Sequence, residues 1–137
     1  MKGGDATKYR GWTARCIFLA QDKPELLYST KEASRSMAVP RSEDFAKIKR
    51  MTRFLNGCPR MVQTFVWQDP VGDVIVYSDA DWVGCGETRK STSGGAIMIG
   101  SHMLKSWATS QSVIAFSSGE AELYAMTKAA SQTIGNV

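Results

Sequence analysis

Four carboxylates fall in two short segments: Asp79 and Asp81 in VIVYSDADW, and Glu120 and Glu122 in SSGEAELYAM. Hard cations such as Mg²⁺ take oxygen ligands in octahedral geometry, so a site rich in acids and poor in histidine suits them. Two such ions, held ~3.5–4 Å apart, can clamp the attacking and leaving oxygens in phosphodiester hydrolysis. Other chemistries fit less well. His102 is the lone histidine and there is no CxxC, which argues against a zinc centre and weakens any Ser–His or Cys–His nucleophile. Cys16, Cys58 and Cys85 are odd in number and widely spaced, against a disulfide framework and in keeping with a reducing compartment.

The two acids of each segment are not equivalent. On a strand, Asp79 and Asp81 share a face with Ile75 and Tyr77. Acids also mark the solvated end of a strand, so that pair alone does not decide the matter. On a helix, residues two apart point ~200° apart. Glu120 shares a row with Tyr124, Thr127 and Ser131. With Ser117 it has the spacing of a capping box, a sufficient structural role. Glu122 shares a row with Ala125, Met126 and Ala129, the row expected to face a sheet. A carboxylate there is costly unless it is paired or metal-bound. Glu122 is therefore the better functional candidate.

The elements that must position these acids follow from pattern. Residues 61–68 (MVQTFVWQ) and 74–82 are rich in β-branched and aromatic residues, with the turn-like DPVGD between them. Residues 95–100 and 103–109 read as two more short strands, tightly joined, and a helix follows from about Ser118. This half is an α+β start, an antiparallel meander of three strands with one helix, and it leaves an unpaired sheet edge unless more chain follows. The first half reads as helical: residues 9–21, then 24–38 with Pro24 in the first turn, then 43–55 with Ser42 as cap and Gly57 and Pro59 as stop. Two regions result, 1–60 and 61–137.

With 137 residues, 43% apolar and 22% charged, the chain is ordinary globular material. Its longest uncharged apolar run, residues 16–20, is far short of a membrane span, and no secretory signal opens it. The net charge of +4 and pI of about 9.1 are mildly basic. The excess gathers in residues 41–60, where Lys47, Arg50 and Arg53 form a stripe that suits phosphates or, equally, a solvated helix face. Arg89, Lys90 and Ser91 open a basic, hydroxyl-rich loop suited to phosphate or ribose contacts, or to a plain turn. Trp82 and Trp107 have base-stacking potential, but their strand patterns favour the core.

Taken together, VIVYSDADWVGCGETRKSTSGGAIMIG and LKSWATSQSVIAFSSGEAELYAM closely resemble the ribonuclease H region of copia-type LTR retrotransposon Pol polyproteins. The SDADW, TRKSTSG and SSGEAE motifs occur in order and at the family's spacing. The departures are Gly119, where the family usually has Ala, and Leu123, where it usually has Tyr. Upstream, YRGWTARCIFLAQDKPELLYSTKEASRSMAVPRSEDFAKIKRMTRFLNGCP is similar to the segment joining reverse transcriptase to nuclease, so the resemblance covers about residues 8–134.

The resemblance implies a C-terminally truncated ribonuclease H-like fold, preceded by a helical connection segment. It also implies Mg²⁺- or Mn²⁺-dependent hydrolysis of the RNA strand of RNA–DNA hybrids as the parental activity. Asp79 and Glu122 match the first catalytic aspartate and the helical glutamate, with Asp81 a weaker metal ligand. Two further family aspartates would lie beyond Val137, so the chain alone is expected to be inactive. Its partners would be the hybrid, the upstream reverse transcriptase and the rest of the nuclease; its location would be a cytoplasmic particle or the nucleus. The YxDD polymerase motif is absent, since SDAD has its acids two apart. The competing readings are a non-catalytic remnant that binds nucleic acid and a domesticated interaction module. Salt-sensitive binding would mark the former and salt-insensitive partner binding the latter.

Overall fold

The computed structural model describes residues 3–135. The chain divides into two compact units, Met1–Gln63 and Thr64–Val137.

The first unit is helical. Helix α1 spans Gly3–Leu19, α2 Leu27–Arg35 after a 3₁₀ turn at Pro24–Leu26, and α3 Phe45–Gly57 after a 3₁₀ turn at Ser42–Asp44. Helix α1 begins well upstream of the residue 9 expected from pattern, with Asp5 complementing the dipole of its first turn. The entry to α3 is also not capped as expected. Ser42 lies within the 3₁₀ turn, and it is Asp44 that accepts the Arg41 N–H at 2.8 Å, the Ser36 hydroxyl at 2.7 Å and the Lys47 ammonium at 2.9 Å. Tyr9, Cys16, Ala20, Leu26, Ala33, Ile48 and Met51 form the core. Tyr9 is fully buried, and its phenol reaches water's substitute in the Ala33 carbonyl at 2.7 Å, as a buried hydroxyl must.

The second unit is a meander with one helix. Strands β1 (Val74–Asp81), β2 (Thr92–Ile99) and β3 (His102–Ser110) pair antiparallel in the order β1-β2-β3, and α4 spans Ser118–Ile134. Helix α4 is capped by Ser117, whose hydroxyl accepts the Glu120 N–H at 3.1 Å. Its buried stripe is Ala121, Ala125 and Ala129, which lets it sit close to the sheet. Met126, expected on that inward row, is exposed because the alanine stripe lies one position back. Ile97, Trp107 and Ala129 make the core, with Val76 against it. Strand β2 starts three residues before its expected beginning, and its glycines have a packing purpose. Gly95 pairs with Trp107, and a Cβ on Gly95 would fall 2.2 Å from the indole ring.

Residues 61–68 form no strand. Strand-like composition does not by itself make a pairing, and Gln68 and Val66 instead bond the β2–β3 turn and its flank. Gln68 donates to the Ile99 carbonyl at 3.0 Å and accepts the Ser101 N–H at 3.0 Å, lying over Gly100, whose φ of +57° a side chain would rarely adopt. His102 Nε2 meets the Val66 carbonyl at 2.8 Å. No helix among the described residues is long and apolar enough to cross a membrane.

Candidate functional site

Strand β1 lies at an edge of the sheet, so one row of its backbone groups faces no other strand. One of these is taken up by α4: Glu122 Oε1 accepts the Ala80 N–H at 3.3 Å. That N–H belongs to the peptide linking Asp79 to Ala80. The two acids singled out by sequence therefore flank one peptide unit, Asp79 through its own backbone and Glu122 through this bond. Val76 and Ser78 line a shallow groove with Met126 and Ala129, which makes theirs the face covered by α4. By the pleat, Asp79 is set on the other face with Ile75, Tyr77 and Asp81, all exposed. Asp79 has no hydrogen-bond or ion-pair partner among the described residues.

Glu120 is occupied otherwise. Its Oε2 accepts the Phe116 N–H at 2.7 Å and its Oε1 the Tyr124 hydroxyl at 3.1 Å, an interaction that pushes the Tyr124 phenol above its ordinary range. The division of labour between the two helical acids, one for the cap and one turned to the strand, is thus visible in their partners. Asp81 does not join Asp79. Its carboxylate lies over Gly84, so close that a Cβ there would sit 2.2 Å from Oδ2. No group of three or more His, Cys, Asp or Glu side chains that could hold a metal ion occurs among the described residues. The expected meeting of the two carboxylates is not seen: Glu122 lies on the α4 side of β1 and Asp79 on the opposite face, and two acids are in any case short of the ligand count that binds a hard cation tightly.

The basic candidates divide in the same way. Arg89 is exposed with a φ of +56°, at the tip of the β1–β2 connection, and Lys90 is half-buried beside it. Ser91 is fully buried, and its hydroxyl accepts the Val83 N–H at 3.2 Å; it braces the connection and does not face outward. On α3, Arg50 and Arg53 are exposed, whereas Lys47 is committed to Asp44. Trp107 packs in the core as expected. Trp82 does not: it is 46% exposed, and its Nε1 holds the Ala115 carbonyl at 3.2 Å. A residue that sequence reasoning missed is Gln111, buried, donating to Ser93 Oγ at 3.0 Å and to the Ala121 carbonyl at 2.8 Å. It ties α4 to the sheet and so fixes where Glu122 lands. No local signal marks it, since both partners are distant in sequence.

The chain is 30% identical over 128 residues to the retrovirus-related Pol polyprotein from transposon RE1 of Arabidopsis thaliana, covering 93% of this chain and 9% of that protein. The corresponding protein from transposon RE2 matches with the same identity and coverage, 30% over 128 residues, 93% and 9%. An uncharacterized mitochondrial protein of the same plant is 26% identical over 128 residues, covering 93% of this chain and 53% of that protein. No protein-family model and no solved structure matches. The chain spans 9% of the length of the two Pol polyproteins, and the match takes in both of its units. The resemblance carried by the motifs holds along nearly the whole sequence: the chain is related to a segment of the copia-type Pol polyproteins of retrovirus-related transposons.

Proposed function

We propose that the chain is the part of a retrotransposon Pol polyprotein that joins reverse transcriptase to ribonuclease H and supplies the first strands and first helix of the nuclease. The observation that carries this reading is the Glu122 bond to the Ala80 N–H, which holds the helical acid against the peptide of Asp79. Glu122, 42 residues beyond Ala80, reaches that N–H from the α4 side of β1, while Asp79 stands exposed on the other face of the same strand, so the two acids share a peptide but not a side.

In the parental reaction, hydrolysis of the RNA strand of an RNA–DNA hybrid, Asp79 and Glu122 would hold Mg²⁺ or Mn²⁺. The bound metal supplies a Lewis acid for the phosphodiester and for water. The protein's own part is positional. Ser117 and Gln111 seat α4, α4 delivers Glu122, and β1 presents Asp79 outward with its carboxylate uncommitted. Exposed Arg89 and half-buried Lys90 supply positive charge for the hybrid's phosphates. With two acids in place, the chain by itself is not a competent nuclease.

The test is cleavage of a labelled RNA–DNA hybrid by the 137-residue chain and by a longer Pol protein containing it. The longer protein cleaves the RNA strand with Mg²⁺ and loses at least ~10²-fold in rate in Asp79→Asn or Glu122→Gln, while the chain alone stays at background. Full activity in both variants overturns the site assignment. Mg²⁺-dependent cleavage by the chain alone, abolished by Asp79→Asn, overturns its incompetence.

A second reading, a segment that binds nucleic acid without cutting it, is favoured by the absence of a three-acid group among the described residues. Hybrid binding that weakens steeply with salt, without cleavage by the longer protein, would select it.

A further inference from the structure

The helical unit carries a cleft that the nuclease reading does not use. Its floor is apolar: Trp12, Cys16 and Leu19 from α1 and Phe45, Ile48 and Leu55 from α3. Its volume of about 720 Å³ is that of a ligand-sized site. Trp12 and Leu19 remain 41% and 37% exposed although they belong to this floor, an expensive surface to leave in water. The edges are cationic. Arg15 stands on the α1 side and Lys49 and Arg53 on the α3 side, all exposed and none with an ion-pair or hydrogen-bond partner among the described residues.

These features select an occupant. A nucleic acid backbone would satisfy the cations but leave the apolar floor wet. A wholly apolar segment would cover the floor and strand three charges at its border. Leu19 lies seven positions after Trp12 and Leu55 seven after Ile48, so the cleft runs ~10 Å, about two helical turns. Helix-in-groove recognition uses anchors at i, i+3 or i+4, and i+7, which is that length. Lys49 and Arg53, four residues apart, offer two cations along one edge, opposite Arg15.

We propose that the cleft between α1 and α3 docks a short amphipathic helix of a partner protein, with apolar residues on the buried stripe and carboxylates flanking it.

The test uses the full chain and a fluorescein-labelled peptide of about four helical turns, with leucines at i, i+4 and i+7 and glutamates on both flanks. Anisotropy is read at about 0.15 M ionic strength. The glutamate peptide binds saturably, and a peptide with lysine at each glutamate position binds at least about tenfold more weakly. The double variant Lys49→Glu, Arg53→Glu reverses that preference, with circular dichroism unchanged because both side chains are exposed. Leu19→Gln weakens both peptides. Equal binding of the two peptides, no saturation up to about 1 mM, or unchanged preference in the double variant overturns the proposal. So does displacement of the peptide by a short RNA–DNA hybrid at lower concentration, which would make nucleic acid the occupant.

Discussion

Glu122 Oε1 accepts the N–H of Ala80 at 3.3 Å, and that N–H is part of the peptide leading out of Asp79. This bond couples α4 to the free edge of β1, and it separates what Glu122 does for the fold from what it does for a cation. Glu122→Ala leaves the Ala80 N–H without its acceptor and costs about 0.5–1.5 kcal/mol. Glu122→Gln keeps an acceptor oxygen and costs less. Both variants remove the charge, so both weaken binding of Mn²⁺ at β1 to a similar extent. Urea unfolding and Mn²⁺ titration on the same samples separate the two effects; equal stability loss in both variants would show that the bond needs the full carboxylate.

The sheet is held by a side chain lying where another residue type would put a carbon. Gly95→Ala sets a methyl 2.2 Å from the Trp107 ring, so either the indole or the strand must move. Such overpacking costs about 1–3 kcal/mol. Trp107→Leu alone opens a cavity and also destabilises. The double variant Gly95→Ala, Trp107→Leu is expected to be more stable than the sum of the two losses implies, because the added methyl fills space that the indole vacated. Unfolding of the wild type, both single variants and the double variant measures this coupling directly; strict additivity would mean that the ring and the glycine do not share that space.

Much of this second unit was legible because its signals are local. β-Branched and aromatic composition marked β1, Ser117 and Glu120 marked the start of α4, and helical spacing separated Glu122 from Glu120. The signals that failed are those whose partners lie far away in sequence. Residues 61–68 have strand-like composition, but what Gln68 and Val66 bond is the β2–β3 turn and its flank, a contact about 30 residues away that no local pattern announces. Ser91 belongs to a basic loop by composition, yet a backbone N–H at Val83 turns its hydroxyl inward. Asp81 shares a face with Asp79 by the pleat, but the missing Cβ of Gly84 gives its carboxylate a place in the turn. Lys47 counts toward a basic stripe until Asp44 is seen beside it.

Asp44 makes the helical unit sensitive to acid. Burial pushes its carboxyl up, but the Arg41 N–H, the Lys47 ammonium and the Ser36 hydroxyl more than reverse this and hold it below the usual aspartate range. Glu32, beside Lys31 and Arg35, is lowered in the same way against its own burial. A carboxyl depressed in the folded state stabilises above its unfolded pKa, roughly 4, and that stability is lost as pH falls through the lower folded value. The helical unit is therefore expected to lose stability below about pH 4. Asp44→Asn lowers stability at neutral pH by about 1–3 kcal/mol, through imperfectly satisfied donors at Arg41, Ser36 and Lys47, and flattens the acid limb. Helix content followed against pH in both proteins checks this; an unchanged acid limb in Asp44→Asn would assign the sensitivity to other carboxyls.

The cations of α3 differ in how free they are, and salt dependence reads that difference. Arg50 is exposed with no ion-pair partner among the described residues, whereas Lys47 is held by Asp44, which raises its pKa through the hydrogen bond they share. A side chain that neutralises a phosphate releases counterions, and its removal lowers the slope of log K against log salt by about one. If the α3 stripe meets an RNA–DNA hybrid, Arg50→Ala reduces that slope by about one. Lys47→Ala leaves the slope nearly unchanged and lowers stability instead, since it strips Asp44 of a partner. Hybrid binding at several salt concentrations, alongside unfolding of each variant, distinguishes the two. A slope that falls for Lys47→Ala and not for Arg50→Ala would place the phosphates on the Asp44 side of the helix.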